Sequence, residues 1–159
     1  MGPWPLFLKR IVITRGVIKV PQEEVLNVLK DPPTVITLNP LVAYYEVKPE
    51  DPSTYVITDT IKMPFFTTKT TYTARVEFGE NRTTFHVKAS GGMTSTNHWT
   101  SKRRDEQPDT TEVVEESHVE APFFLMPFIV GNIRKSHREL MDRLTVKLES
   151  KQKRSGEHT

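Results

Sequence analysis

The hydrophobic period changes along this chain and divides it into elements. Residues 7–14, within "PLFLKRIVITRG", form a β-rich run. "PQEEVLNVLK" reads as a short helix. Pro21 opens it, and Glu23 and Glu24 fill the first turn, where the helix dipole favours acids. Asp31-Pro32-Pro33 stops it, and a second helical piece, 34–38, ends before Asn39-Pro40. From there the period is two. Six strand-like runs follow at 41–48, 53–63, 68–78, 83–90, 93–102 and 110–121, rich in β-branched and aromatic residues. The breaks between them carry turn chemistry: "PEDP", "GENR", "GG" and "RDEQPD". After a Pro- and Phe-rich joint the period becomes 3.6. Ile129, Ile133, Leu140, Leu144 and Leu148 form one stripe, with Arg134, Lys135, Arg138, Glu139 and Asp142 opposite. His137 falls in the middle of the apolar stripe.

This order predicts an α+β domain over 1–150: a seven-stranded curved antiparallel sheet gripping a long C-terminal helix, with two short helices after strand 1. Residues 151–159 read as a flexible tail. A curved sheet around a helix leaves an internal cavity unless large side chains fill it.

Alternation assigns the faces of half-buried strands. Tyr55, Ile57, Asp59, Ile61 and Met63 share one face, as do Leu41, Ala43, Tyr45 and Val47. Tyr72, Ala74, Val76 and Phe78 form the inward set of the next run, followed by Phe85, Val87 and Ala89. Val113, Glu115, Ser117, Val119 and Ala121 line up in the last strand. For 93–102 the Trp99 face is taken as inward, because a lone Trp in a polar strand is best explained by burial, and Asn97 and Ser101 come with it. The inward polar groups are then Tyr45, Tyr55, Asp59, Tyr72, Asn97, Glu115, Ser117 and His137. Buried polar groups without partners cost kilocalories. These residues therefore satisfy one another in a filled core, orient a ligand in a cavity, or act on a substrate.

Composition narrows the function classes. The 159 residues carry 22 Lys+Arg against 20 Asp+Glu, so no large field steers the chain to nucleic acid. Absence of cysteine excludes disulfides, cysteine-rich zinc sites and cysteine nucleophiles. The internal histidines form no HxxxH or HxH pair, and no Gly-rich phosphate loop occurs, so neither a metal nor a cofactor is expected. The start has no basic region ahead of an apolar core. The longest apolar run, 121–131, is split by Pro122 and Pro127, and stable membrane insertion is not expected. A cytoplasmic protein, monomeric or a weak homodimer, is the expectation. "KMPFFTT" and "APFFLMPF" put paired phenylalanines in loops, where exposed aromatics mark entrances or contacts. No Lys/Arg cluster flanks either loop in sequence, which argues against a membrane-surface role.

The element order, with "TLNPLVAYYEV", "NHWTSK", "EVVEESHVEAPFFLMPFI" and "RKSHREL", resembles the helix-grip superfamily that includes START lipid-transfer domains, birch-pollen-allergen-type proteins and polyketide cyclases/aromatases. Within it, these segments are similar to a poorly characterised group of small fungal proteins. The resemblance implies a deep apolar pocket between sheet and helix that carries lipids, sterols or pigments, or folds reactive intermediates. It supplies no superfamily-wide catalytic signature. The reading that follows is a cofactor-independent cyclase or pericyclase-type enzyme acting on a hydrophobic terpenoid or polyketide intermediate. His137, Asp59 and Glu115 would be its acid/base groups. Tyr45, Tyr55, Tyr72, Asn97 and Ser117 would contact substrate, with Ile57, Ile61, Met63, Trp99 and Ile133 as apolar wall. Phe65, Phe66, Phe124 and Phe128 would form the mouth. The alternatives are a non-catalytic lipid or sterol carrier and a protein–protein adaptor using the phenylalanine loops.

Overall fold

A computed structural model describes residues 6–62 and 65–157. Met63 therefore lies outside the described residues. The seven strands form one antiparallel sheet in the order β1-β7-β6-β5-β4-β3-β2. They are β1 (Phe7–Ile18), β2 (Val42–Lys48), β3 (Asp51–Lys62), β4 (Thr67–Gly79), β5 (Arg82–Ala89), β6 (Thr94–Arg104) and β7 (Gln107–Pro122). Helices α1 (Gln22–Leu29) and α2 (Pro32–Leu38) follow β1, and α3 (Met126–Glu157) closes the chain. The predicted α+β architecture is the observed one.

Several boundaries differ from the sequence reading: β3 begins at Asp51 and β7 at Gln107, inside the expected turns, and β6 runs on to Arg104. β1 continues to Ile18 because it pairs with β7 along its whole length, from Phe7 opposite Pro122 to Ile18 opposite Thr111. α2 begins at Pro32, since proline's fixed φ suits the first helical turn. The regular backbone of α3 runs on to Glu157, where the apolar stripe had placed its end near residue 150.

Burial follows the expected alternation in β6 and β7, and in β3 the expected face is buried although Thr54 and Thr58 of the other face are buried too. Tyr55, Ile57 and Asp59 are buried on one face of β3, Ser95, Trp99 and Ser101 on β6, and Val113, Glu115, Ser117, Val119 and Ala121 on β7. β2 departs from it. Its pairing with β3 jumps between Val42 and Tyr44, a bulge that puts one extra residue in the strand. Val42 and Tyr45 thereby both reach the inner side, while Ala43 and Val47 are exposed, contrary to strict alternation. Phe78, the last inward residue assigned to β4, is half exposed, because α1 packs over β5, β6 and β7.

The core divides into two clusters. The larger joins α1, α2 and the middle strands to Leu140, Met141, Leu144 and Leu148 of α3. The smaller gathers Val119, Ala121 and Met126, with Leu8, Met93, Ile129 and Ile133 against them. Two buried hydroxyls serve the frame only. Thr83 donates to the Leu29 carbonyl at 2.7 Å and Thr111 to that of Val20 at 2.8 Å, satisfying chain ends that have no regular partner. Ser101 likewise accepts from Gln22 Nε2 at 3.3 Å.

α3 lies close against β1, held by Arg138 Nη1 donating to the Arg15 carbonyl (2.9 Å) and by Glu149 accepting from Lys19 N (3.0 Å). Gly16 makes this approach possible, for a Cβ there would stand 2.7 Å from Cγ of fully buried Met141. Gly16→Val should destabilise the protein by about 1–3 kcal/mol through overpacking. Chemical denaturation checks this, and Met141→Ala in the same chain should recover part of the loss.

Candidate functional site

Between sheet and α3, bordering both core clusters, lies a cavity of about 320 Å³. That is the lower end of the range for sites that hold drug-sized ligands. Ile57, Ile61, Ala74, Phe85, Val87 and Trp99 supply its sheet wall, Val35, Ile36 and Leu41 the α2 side, and Phe128, Ile129, Ile133 and Leu140 the helix wall. Into this apolar surface project Asp59, Tyr72, Asn97 and His137.

Strand geometry brings Asp59 and Tyr72 together. Asp59 pairs with Thr70 across β3 and β4, so Tyr72, two residues on, is its diagonal neighbour on the same face. The Tyr72 hydroxyl donates to Asp59 Oδ1 at 3.1 Å. Asp59 is 8% exposed. Burial pushes its carboxyl up to about 6, against the opposing pull of the Tyr72 hydrogen bond and the His137 charge. Burial also drives the Tyr72 phenol well above its usual range, and the adjacent carboxylate adds to this. The pair therefore combines a carboxyl that exchanges protons near neutrality with a phenol that keeps its proton.

His137 enters from α3. Its Nδ1 stands 3.0 Å from Glu115 Oε1, and the two side chains are 12% and 0% exposed. Glu115 sits in β7 between Thr14 of β1 and Trp99 of β6, all three buried. Ser117 donates a short hydrogen bond to the same Oε1. Glu115 Oε2 has no hydrogen-bond partner among the described residues, and Nδ1 is not aligned to donate along its line to Oε1. The two groups stand at ion-pair distance without a directed hydrogen bond, and His137 also lines the cavity.

Placed on this geometry, the sequence-derived candidates separate. Asp59, Tyr72, Asn97, His137, Ile57, Ile61, Trp99, Phe128 and Ile133 all line the cavity. Glu115 and Ser117 do not; they lie behind His137 and position it. Tyr45 and Tyr55 also stand apart from the wall, packed ring to ring with centroids 6.0 Å apart in the larger core cluster. Phe65, Phe66 and Phe124 are exposed at the end of the sheet where β3, β5 and β7 finish.

Other lining polar residues were not singled out from the sequence. Ser95 donates to Asn97 Oδ1, and it shares the Trp99 face, so alternation could have found it. Ser136 is buried one position from His137, at i+3 from Ile133. Asn39 and Asn132 reach the wall only through the placement of α2 and the roll of α3.

His86, His98 and His118 point to the outer face, as their strand phases predict. His86 pairs with Glu77 at 2.9 Å and His118 with Glu116 at 2.7 Å. Among the described residues no group of three or more His, Cys, Asp or Glu side chains is placed to hold a metal ion.

Residues 17–150 match the family described as "Domain of unknown function (DUF7053)". The chain belongs to the DUF7053 family. No curated protein matches it. Among solved structures, the DUF7053 chain is similar to the Zhui aromatase/cyclase from Streptomyces sp. R1128, with a TM-score of 0.68 at 11% identity, covering 89% of this chain and 94% of that one. It is similar to a START superfamily protein from Mycobacterium smegmatis at a TM-score of 0.67 and 14% identity, covering 88% and 97%. It also matches the di-domain ARO/CYC BexL from the BE-7585A biosynthetic pathway at 0.63 and 12%, covering 87% of this chain and 49% of that one. At such identities the likeness is one of fold. The DUF7053 chain has the helix-grip fold.

Proposed function

We propose that this protein is a cofactor-independent cyclase acting on a hydrophobic, carbonyl-bearing intermediate of the polyketide or terpenoid type. The observation that carries the proposal is that Asp59, Tyr72 and His137 all line one largely apolar cavity. Two of the fold relatives are described as aromatase/cyclases. The small volume suits a folded, compact molecule better than a long acyl chain.

The chemistry such a set supports is an intramolecular aldol-type closure. The Asp59 carboxylate takes a proton from the carbon next to one carbonyl, and the enolate attacks a second carbonyl of the same molecule. One carbon–carbon bond forms, and the new alkoxide receives the proton that Asp59 removed, passed on through His137, so that both groups end as they began. Product and substrate then have equal mass. The wall holds the chain in the conformation that reacts. The imidazole serves the oxygen on which charge develops, while the Tyr72 hydroxyl, donating to Asp59, holds the base in place. A carboxyl near 6 is suited to this, being ionised yet still basic at neutral pH.

Incubating the protein with small-molecule extracts of the source cells, with mass spectrometry before and after, tests the proposal. The expected result is loss of one compound and gain of an isomer of equal mass. With that substrate, His137→Gln, assayed well below its melting temperature because it also breaks the buried pair with Glu115, should lower kcat by about a hundredfold or more. The same cavity supports a second reading, a carrier without chemistry, favoured by the exposed aromatic mouth. A compound depleted from solution and released unchanged on denaturation would decide for the carrier.

A further inference from the structure

β1, β2, β4 and β6 begin, and β3, β5 and β7 finish, at one end of the sheet, the end from which β7 leads into α3. Leu6, Phe65, Phe66, Phe123, Phe124 and Phe128 are exposed there, Phe65 at 97%. Leu125, also exposed, and Phe128 line the cavity, so these side chains surround its opening. They come from three separate segments. The Phe123 amide donates to the Leu6 carbonyl at 2.8 Å, and the rings of Phe123 and Phe124 meet edge to face. Phe65 and Phe66 stand on the turn between β3 and β4, whose Ile61 and Thr70 reach the cavity.

Around these tips the fold gathers cations that the sequence keeps apart. Lys9 and Arg10 start β1, Lys69 starts β4, Lys88 ends β5, and Arg134 and Lys135 lie in the third turn of α3. All six are exposed. None forms an ion pair among the described residues; Lys69 lies over the Tyr44 ring. Register sets Lys88 and Lys9 in one cross-strand row, Lys88–Thr94–Glu120–Lys9, with half-buried Glu120 between them. Protruding aromatic tips inside a basic rim match the layering of an anionic bilayer surface, with apolar side chains among the acyl ends and cations at the headgroups. A flat protein partner would leave tips as isolated as Phe65 unburied. No helix among the described residues is long and apolar enough to cross a membrane, so contact would be peripheral.

We infer that the cavity mouth docks reversibly on anionic lipid bilayers, so that a hydrophobic ligand passes between membrane and cavity without crossing water. The inference stands whether the cavity converts its ligand or only holds it.

The test is flotation of the full chain with phosphatidylcholine vesicles, with and without phosphatidylserine. Binding should need phosphatidylserine and weaken as salt rises. Phe65→Ser with Phe124→Ser, and separately Lys69→Glu with Lys88→Glu, should each weaken it roughly tenfold or more. Lys102→Glu with Arg103→Glu, at the far end of β6, should leave it unchanged. All these side chains are exposed, and an unaltered melting temperature shows that the variants are folded. Absence of vesicle binding by the native chain overturns the inference, as does equal loss in the far-end variant. Self-association or protein binding that Phe65→Ser with Phe124→Ser abolishes, without vesicle binding, would instead make the mouth a protein interface.

Discussion

Asp59→Asn should be more stable than the native chain at pH 7.5, by about 1–2 kcal/mol, and no more stable at pH 4. The sign follows from the proton count. Burial raises the folded carboxyl to about 6 from an ordinary 3.8. Between these values the folded state holds a proton that the unfolded state has released. Stability therefore falls as pH rises from about 4 to about 6, and the penalty is fully present above that. A shift of roughly two units is at most ~3 kcal/mol. The carboxyl faces the cavity and keeps part of its solvation, which brings the expected figure down to the stated range. Asparagine keeps an oxygen to accept from Tyr72 and carries no charge to desolvate. Thermal melts of both proteins from pH 4 to 8 provide the check, at roughly 2–4 °C per kcal/mol for a chain of this size. If the native chain is the more stable at pH 7.5, or the gap persists at pH 4, the carboxyl is not held up by burial. A group that costs stability at working pH and lines a cavity fits chemical use better than structural use.

The second large effect concerns the pair beneath His137. Glu115→Met removes a fully buried carboxylate and leaves the imidazole 12% exposed against an apolar wall. Breaking a buried pair by deleting one partner commonly costs about 3–5 kcal/mol. Here about 2–3 kcal/mol is expected, because the imidazole that remains also touches the cavity. Glu115→Met combined with His137→Leu should regain most of this, since apolar replacement of a whole buried pair is often neutral. Urea titrations of the two single variants and the double variant give the coupling directly. A neutral Glu115→Met would mean that the carboxylate does not hold the ring. A stable double variant that no longer converts or binds ligand would show the pair to be retained for the site.

The alternating patterns of residues 53–63 and 110–121, and the helical stripe from Ile129 to Leu148, determined the sheet, the long helix and the burial of Asp59, Glu115 and His137. Each pattern is local: a strand's pleat or a helix's turn decides which residues share a face, whatever lies opposite. That reading failed where local backbone broke its own period. The β2 bulge brought Val42 and Tyr45 inward together, and no alternation rule announces an inserted residue. It also could not tell the cavity wall from the layer behind it. Glu115 and Tyr55 are as well patterned as Asp59, yet only Asp59 reaches the cavity. The distance between α3 and each strand makes that distinction, and Gly16 helps to set it. Tertiary structure alone joined Asp59 to Tyr72, and it decided between the two carboxylates that the helix face of His137 could meet, Glu115 and Asp59, in favour of Glu115. It likewise drew Lys9, Lys69, Lys88 and Lys135 around one mouth, because contacts across strands depend on register and sheet curvature, which many residues fix jointly.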